Sequence, residues 1–506
     1  MMRSTLLLSA LLLTSVEGFA DQNDPIVFQD LTVKMICVDN WDTNDDGELS
    51  YAEAAAVKSL DGKFEQQFNI YMFNEFKYFT GITETRANEF ASTGFLREIT
   101  LPPNLRKLGN DTFYGSGIRK ITFNDKLEEI GKSCFQECMN LSSVSLPETV
   151  VTIKEQAFAI CQNIKEFRMP SKVKEIGPMT FFYCIKLNNI IFNEAIEKIH
   201  PNAFLECYAL KKVHITKNIN TAESAFTYCS NLQEFTVDSA NPYFTAIDGC
   251  LYTKDGKALV AYTLGSPATE YKVYEGTTEI KSKAFGNADH LVKVILPENL
   301  TTIGKNAFQT CKNLQTVNLP EGVKQLKGAT FRDCKNLKNV DLPSQLTSID
   351  EIAFLKCSEL EKICLPESLT SLGRDVFEGC TKMNEIRVYS KTGEIDHIAG
   401  SSLIYNEEDD KTNNRTVYVP YGCLETYKAH PYWKYAKEIK EMEMTAIDEV
   451  EADVTVTING VEVPTSSNAS IYTLDGILIK KFRTSDREIR LPVGVYILNG
   501  KKVVIR

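Results

Sequence analysis

Apolar residues recur along most of the chain with a period of about 23 residues, a spacing typical of repeat architectures. One column is phenylalanine, and its members are Phe90, Phe113, Phe135, Phe158, Phe181, Phe204, Phe226, Phe285, Phe308, Phe331, Phe354 and Phe377. A second column lies three residues later and is cysteine: Cys138, Cys161, Cys184, Cys207, Cys229, Cys311, Cys334, Cys357 and Cys380. One row cannot bury its own apolar face, so the rows are predicted to stack as coils of a solenoid around a shared core.

Each row opens with a short alternating pattern, such as residues 291–297, LVKVILP. Alternation predicts a short strand with one buried face, and the proline, which lacks an N–H donor, suits the strand exit. A turn follows, and then a short helical turn is predicted around Ala307, Phe308 and Cys311. In a helix, the three-residue step from Phe308 to Cys311 keeps both side chains on one face.

These rows resemble the repeat of the BspA-type leucine-rich-repeat family, approximately Leu-x-x-Ile-x-Leu-Pro followed by Val-x-x-Ile-Gly-x-x-Ala-Phe-x-x-Cys. The resemblance covers residues 76–442 and implies a leucine-rich-repeat solenoid of short strands and short helical turns. Residues 232–290 depart from the plain repeat and resemble the family's long variant. There, Asp255-Gly256 between two apolar runs predicts a hairpin, which we expect to project from the solenoid.

Both ends of the repeat region differ from the regular rows. A terminal cap is predicted over residues 383–442, within which residues 417–433 resemble the closing unit of the same family. Trp41 and Trp433 are the only tryptophans and lie outside the rows, where large anchors would cap an exposed core. Residues 443–506 alternate apolar residues with turn signals, which predicts a small β-sandwich. This segment resembles the C-terminal sorting domain of type IX secretion cargo; an ordinary capping β-domain is the alternative.

Residues 1–20 have one positive charge, a short apolar stretch and small residues before Asp21, the layout of a secretory signal peptide. The protein is therefore predicted to be secreted or attached to the surface of a bacterial cell, with no membrane-spanning segment. The net charge of −11 disfavours nucleic acid and anionic membranes as partners, because both attract cationic surfaces.

One segment carries metal-binding chemistry. Residues 42–53, DTNDDGELSYAE, match the calcium loop of an EF-hand at every constrained position. The predicted ligands are the side chains of Asp42, Asn44, Asp46, Ser50 and Glu53 and the backbone carbonyl of Glu48. Helices over residues 31–41 and 51–60 would flank the loop within a cap formed by residues 21–75. Calcium is thus the predicted cofactor, and an acidic loop that needs no calcium is the alternative.

The nine column cysteines are predicted to form a reduced structural ladder. Each lies at an equivalent buried position beside a core phenylalanine, where cysteine behaves as a small hydrophobe. An exported chain with fourteen cysteines also permits occasional disulfides, and this alternative stays open. The spacing does not match a zinc site.

A binding surface is predicted on the strands, whose third and fifth positions should face outward. The candidate residues are Glu166, Arg168, Ile191, Lys212, His214, Lys293, Ile295, Asn318, Asp341 and Arg387. Their mixed charges and lack of aromatic rings disfavour a strongly charged ligand and sugar stacking. The family resemblance implies an adhesin that binds host or neighbouring-cell surface or matrix proteins.

Adhesion has two alternatives. A structural component of the cell envelope, with no specific ligand, is the main alternative. A surface hydrolase finds no support in the sequence, because the five histidines are scattered over different rows without a recognisable nucleophile or base pattern. We therefore predict a non-enzymatic protein.

Overall fold

The computed structural model describes residues 21–393, 395, 397–398, 415–430 and 433–442, together with strands of the C-terminal tail. The predicted signal peptide lies outside the described residues. The α-helices are α1 (Leu31–Trp41), α2 (Tyr51–Ala56) and α3 (Leu424–Ala429), and two 3-10 helices span Asn74–Tyr78 and Trp433–Tyr435. None of the described helices is long and apolar enough to cross a bilayer.

Two rows of short parallel strands run along the repeat region. The first row consists of Met72–Phe73, Glu98–Thr100, Lys120–Thr122, Glu166–Arg168, Asn189–Ile191, Lys212–Ile215, Glu234–Val237, Glu270–Lys272, Lys293–Ile295, Thr316–Val317, Lys362–Leu365, Glu385–Val388, Thr416–Val419 and Glu438–Glu441. The second row consists of Lys107–Leu108, Glu129–Ile130, Thr152–Ile153, Glu175–Ile176, Lys198–Ile199, Glu279–Ile280, Thr302–Ile303, Gln325–Leu326, Ser348–Ile349, Ser371–Leu372 and His397–Ile398. The first row begins at Met72, inside the segment predicted to be a separate cap.

Neighbouring coils are stacked in register. Glu166 pairs with Asn189 and Phe167 with Ile190, so equivalent positions of successive rows face each other. The column phenylalanines stack in the same way: the rings of Phe135 and Phe158 lie 5.2 Å apart between centroids, with planes 7° apart. This separation is close to the ~4.8 Å spacing of hydrogen-bonded strands. The predicted leucine-rich-repeat solenoid is confirmed.

The third side of each coil consists of consecutive turns in place of the expected helical turn. Asn306 and Thr310, two residues before and after Phe308, both have φ 61°. A right-handed helix needs negative φ throughout, so these two residues interrupt it. Three overlapping turns result, with hydrogen bonds from Ala307 N to Gly304 O, Gln309 N to Asn306 O and Cys311 N to Phe308 O. Phe308 and Cys311 still both point into the core.

The long repeat is built into the solenoid, which corrects the expectation of a projecting hairpin. Strands Phe244–Ile247, Cys250–Thr253 and Ala258–Ala261 form an antiparallel meander. Ala258–Ala261 then pairs in parallel with Glu279–Ile280 of the next coil. Leu251 and Leu259 are fully buried, because the hairpin carries apolar side chains that the adjacent coils cover.

The ends of the core are closed by aromatic side chains. At the N-terminal end, Trp41 packs against Phe64 and Phe79, with ring centroids 6.4 and 5.7 Å apart. At the C-terminal end, Trp433 is fully buried and its indole N–H donates to the carbonyl of Gly393 at 3.0 Å. Helix α2 ends at Ala56, shorter than predicted, because Val57 adopts an extended conformation.

In the C-terminal tail the described strands form two sheets. One contains Val454–Ile458, Val461–Thr465 and Glu488–Ile489, and the other contains Ser470–Thr473, Leu478–Lys481, Gly494–Leu498 and Lys501–Ile505. Most neighbouring strands within these sheets are antiparallel.

Candidate functional site

The carboxylate of Asp30 connects the N-terminal cap to the start of the solenoid. One oxygen of Asp30 caps α1 by accepting the N–H groups of Thr32 and Val33 at 2.9 and 3.3 Å. The other oxygen accepts the N–H of Tyr71 at 2.6 Å, next to the first strand of the solenoid. The orientation of α1, and of the acidic loop that follows it, is therefore fixed relative to the repeats.

The acidic loop, residues 42–53, is curled around its own backbone N–H groups. Asp42 accepts the N–H of Asp45 at 2.8 Å through one oxygen and that of Gly47 at 2.9 Å through the other. Asp46 accepts the N–H of Glu48 at 2.9 Å, and the Asn44 amide donates to Asp46 at 2.9 Å. Gly47 has φ 81° with open space where a Cβ would lie, so this turn favours glycine.

Glu53, the last predicted ligand, closes the loop onto α2. One oxygen accepts both the N–H and the hydroxyl of Thr43 at 2.7 Å, and the other accepts the N–H and the hydroxyl of Ser50 at 2.9 and 2.8 Å. Desolvation by itself would raise the pKa of Glu53, but these hydrogen bonds outweigh it and lower the pKa to about 2. The carboxylate is therefore ionised at neutral pH.

The donor set of the loop fits calcium, although the structure does not bring the acidic side chains together. Within the described part of the chain, no three His, Cys, Asp or Glu residues are gathered closely enough to hold a metal ion. The loop nevertheless supplies only oxygen donors, which calcium prefers. The side chain of Glu48 pairs with Lys34 at 2.6 Å, and its backbone carbonyl is the predicted ligand.

The column cysteines are buried free thiols, and each donates to a carbonyl of the preceding coil. Cys184 Sγ bonds the carbonyl of Phe158 at 3.1 Å, and Cys161 Sγ bonds that of Phe135 at 3.0 Å. The same contact recurs at Cys138, Cys207, Cys229, Cys311, Cys334, Cys357 and Cys380. Burial raises the pKa of Cys184 to about 12, so this thiol stays protonated and can donate.

Arg415 takes over this role where the column ends. Its guanidinium is buried and donates to the carbonyl of Phe377 at 3.1 Å, the carbonyl that the cysteine of a further coil would cap. Sequence reasoning missed this residue, because Arg415 lies 38 positions after its acceptor and outside the repeat.

Eight of the ten predicted binding residues lie on the first strand row, where the odd positions face outward. Asn318 follows the strand Thr316–Val317, and Asp341 lies in a coil where the structure has no strand at this position, which corrects the prediction for these two residues. Seven candidates are exposed, namely Glu166, Arg168, Lys212, His214, Lys293, Asn318 and Asp341, and three are half-buried, namely Ile191, Ile295 and Arg387. Several of them are engaged within the solenoid. The amide of Asn318 bonds the backbone of Leu296 twice, and Arg387 pairs with Glu385 at 2.6 Å.

Charges along this surface are neutralised between adjacent coils. Lys212 pairs with Glu234 at 2.7 Å and Lys293 with Glu270 at 3.2 Å, because equivalent strand positions face each other in register. Sequence reasoning missed these pairs, although opposite charges at equivalent positions of successive rows were a usable signal. Such exposed pairs contribute little stability, but they leave no uniform electrostatic field.

The structure keeps histidines of the repeat region apart. His200 lies beside Glu175 at 3.0 Å on the second row, and His214 lies beside Thr236 at 2.9 Å on the first row. Neither contact includes a nucleophile aligned with the imidazole and a third orienting group.

Comparisons with known proteins place these features in a family. The model of the BspA type leucine rich repeat region matches in six copies, over residues 65–185, 152–248 and 278–402. The fold is similar to that of a leucine-rich cell-surface protein from Faecalibacterium prausnitzii, with a TM-score of 0.56 and 26% identity over 61% of this chain and 83% of that one. It also resembles the pneumococcal vaccine antigen PcpA, with a TM-score of 0.52 and 19% identity over 74% and 85% of the chains. A comparison with curated protein sequences found no match. The chain belongs to the BspA-type leucine-rich-repeat family.

Proposed function

We propose that this protein is a secreted or cell-surface scaffold that binds other proteins, in the manner of an adhesin, through the first strand row. The observation that carries this proposal is the in-register array of outward-facing side chains, including Arg168, His214 and Lys293, on a stacked backbone. Solenoids of this kind present extended surfaces suited to macromolecular partners. Family membership and the similarity to a cell-surface protein support the same role.

The partner we propose is a surface or matrix protein of a host or of a neighbouring cell. Because ion pairs such as Lys212–Glu234 neutralise the surface, it favours a partner that contributes apolar and hydrogen-bonding groups over a highly charged polymer. The half-buried Ile191 and Ile295 supply apolar contacts between the polar positions.

Saturable binding to purified matrix proteins, measured by surface plasmon resonance, tests this function. Arg168→Glu should weaken binding about tenfold, since a charge reversal at the centre of a contact surface costs about 1.4 kcal/mol or more. Lys174→Glu is the matched control, because Lys174 is also exposed but lies directly before the second-row strand Glu175–Ile176, away from the first row. A structural envelope protein would instead show no saturable partner, while loss of the protein would alter the envelope.

We further propose that residues 42–53 bind one calcium ion and stiffen the N-terminal cap. The all-oxygen donor set, the glycine turn at Gly47 and the ionised Glu53 support this proposal. When bound, calcium would supply a positive charge that replaces the N–H groups now facing the carboxylates of Asp42 and Glu53.

Isothermal titration calorimetry tests calcium binding directly. The unmodified protein should bind calcium with a Kd in the range of about 10⁻⁴ to 10⁻³ M expected for extracellular modules. Glu53→Gln should abolish binding in this range, because it removes a charged bidentate ligand. Glu48→Gln should bind normally, since only its carbonyl is offered. Absence of binding heat in the unmodified protein at millimolar calcium would refute the proposal.

Export completes the proposed function. We propose that residues 1–20 direct secretion and that residues 443–506 serve as a sorting and attachment signal. The β-strands of this tail support a small β-domain at the end of the chain. Normal surface display after deletion of residues 468–506 would contradict sorting and favour a capping β-domain.

A further inference from the structure

A short segment on the N-terminal side of α1 is paired with the acidic loop. The N–H of Ile26 donates to the carbonyl of Leu49 at 2.8 Å, and Pro25 forms an antiparallel bridge with Ser50. Ile26 and Leu49 are both buried, which anchors this pairing in the core of the cap. We call residues 22–26 the strap.

The strap also supplies the missing hydrogen-bond partners of α2. The N–H of Tyr51 donates to the carbonyl of Asp24 at 3.2 Å, and the N–H of Ala52 donates to that of Gln22 at 2.7 Å. The first N–H groups of any helix lack partners within the helix. Here the third is capped by the hydroxyl of Ser50, so the strap and Ser50 together satisfy the start of α2.

This arrangement matters because α2 is too short to be stable as an isolated helix. It has six residues, and isolated helices shorter than about 12 residues are marginal in water. Glu53 lies in its first turn, so the position of the Glu53 carboxylate depends on whether that turn is formed. The strap also fixes the carbonyl of Leu49, which orients the backbone next to the predicted ligand Glu48.

We propose that the strap is a positioning element of the calcium site, which holds Glu53 and the carbonyl of Glu48 in place and so allows a single loop to bind calcium without a second loop. This inference rests on the proposed calcium function. Its distinctive feature is that the contacts to α2 run through backbone carbonyls of the strap. Side-chain charge in residues 21–24 is secondary.

Deletion of residues 21–24 from a protein that begins at Asp21 tests the inference. The deletion removes the carbonyl partners of Tyr51 and Ala52 but leaves Ile26. Because two backbone hydrogen bonds are lost, the Kd for calcium should rise on the order of tenfold or more in calorimetry at about 0.15 M salt. In calcium-free protein, hydrogen exchange at the amides of Tyr51 and Ala52 should accelerate about tenfold.

A matched variant separates backbone contacts from charge. The deletion also removes two carboxylates, so Asp21→Asn combined with Asp39→Asn, two exposed residues outside the strap, removes the same charge near the loop. This variant should bind calcium within about threefold of the unmodified protein, since exposed charges are screened at this ionic strength. Unchanged exchange at the amide of Phe158 would show that the solenoid of each variant is intact.

The outcomes separate the two proposals. Normal calcium affinity in the deletion variant would overturn the strap inference and leave the calcium proposal standing. An equal loss of calcium affinity in the variant with Asp21→Asn and Asp39→Asn would show that the acidic side chains, and not the strap backbone, support the site. That result would also overturn the strap inference. Failure of the unmodified protein to bind calcium would overturn both.

Discussion

Cysteine in the repeat acts as a hydrogen-bond donor as well as a small apolar residue. In each regular coil the thiol donates to a phenylalanine carbonyl one coil earlier, as Cys184 does to Phe158. The carbonyl has two lone pairs, and the second accepts the N–H of Cys161 at 3.3 Å. At this carbonyl, the thiol of the next coil and a backbone N–H of the same coil therefore meet, and the thiol supplies the link between coils.

Replacement of Cys184 should show whether the thiol acts as a hydrogen-bond donor or only as a small apolar side chain. Cys184→Ala should lower the free energy of unfolding by about 0.5–1.5 kcal/mol, because the carbonyl of Phe158 loses one donor. Cys184→Ser should lose less, since its hydroxyl can still donate. Urea unfolding followed by circular dichroism measures both. A greater loss in the serine variant than in the alanine variant would contradict the donor role.

Alkaline pH should destabilise the solenoid through the same thiols. Burial raises the pKa of Cys184 and Cys229 to about 12 from an ordinary value of 9.0. The unfolded chain therefore loses its thiol protons first, so stability is intact below pH 9 and falls between pH 9 and 12. Urea midpoints at pH 8 and 10.5 measure the fall. Replacing both cysteines by alanine should reduce the decrease of the urea midpoint between these two pH values. If the decrease stayed the same, other titrating groups would be its cause.

At the scale of the element, close backbone approach between coils dictates where glycine is required. A Cβ added to Gly117 would lie 2.0 Å from the carbonyl oxygen of Gly94, whereas a Cβ added to Gly94 would meet nothing within 4 Å. The two glycines lie near the start of adjacent first-row strands, but Gly117 is buried against the backbone of Gly94, whereas Gly94 is exposed.

This pair provides a controlled substitution. Gly117→Ala should lower the free energy of unfolding by about 1–3 kcal/mol, because the coils must separate to admit the methyl group. Gly94→Ala should be neutral within about 0.5 kcal/mol. Thermal unfolding of the two variants side by side provides the measurement. Equal melting temperatures of the two variants would show that the coils can separate enough to admit the methyl group without loss of stability.

At the scale of the whole molecule, the core divides at the long repeat. One buried cluster extends from the cap to Val260, and the other runs from Cys250 to Trp433, so the two meet within the long repeat. The stacked phenylalanine column is interrupted between Phe226 and Phe285, where the meander and Tyr262 fill the interior. Since repeat proteins are stabilised mainly by contacts between nearest neighbours, this interruption should weaken coupling between the two halves.

Local destabilisation should therefore stay within one half. Phe331→Ala should cost about 3–5 kcal/mol and accelerate hydrogen exchange mainly in residues 285–377. Phe135→Ala, at the equivalent position of the first half, should act mainly on residues 96–226. Exchange monitored by mass spectrometry resolves the two regions. Equal acceleration of both regions by either variant would show that the solenoid unfolds as one cooperative unit.

The sequence alone determined the solenoid, the inward columns of phenylalanine and cysteine, and the outward strand positions. These features depend on periodicity, because side chains that recur once in every row, as at Phe135 and Phe158, must share a core once the rows stack. The helix Leu31–Trp41 followed from local pattern in the same way.

Only the tertiary structure decided how the coils are joined. The turns around Phe308 depend on hydrogen bonds to the next coil, such as Phe308 N to Thr330 O, which override the local preference for a helical turn. The thiol acceptors, the Arg415 cap and the inward-folded meander likewise join groups distant in sequence. The strap precedes α1 in sequence and the acidic loop follows it, yet the two are joined by the hydrogen bond between Ile26 and Leu49. Such contacts leave no local sequence pattern, because the two partners become neighbours only when the coils have stacked.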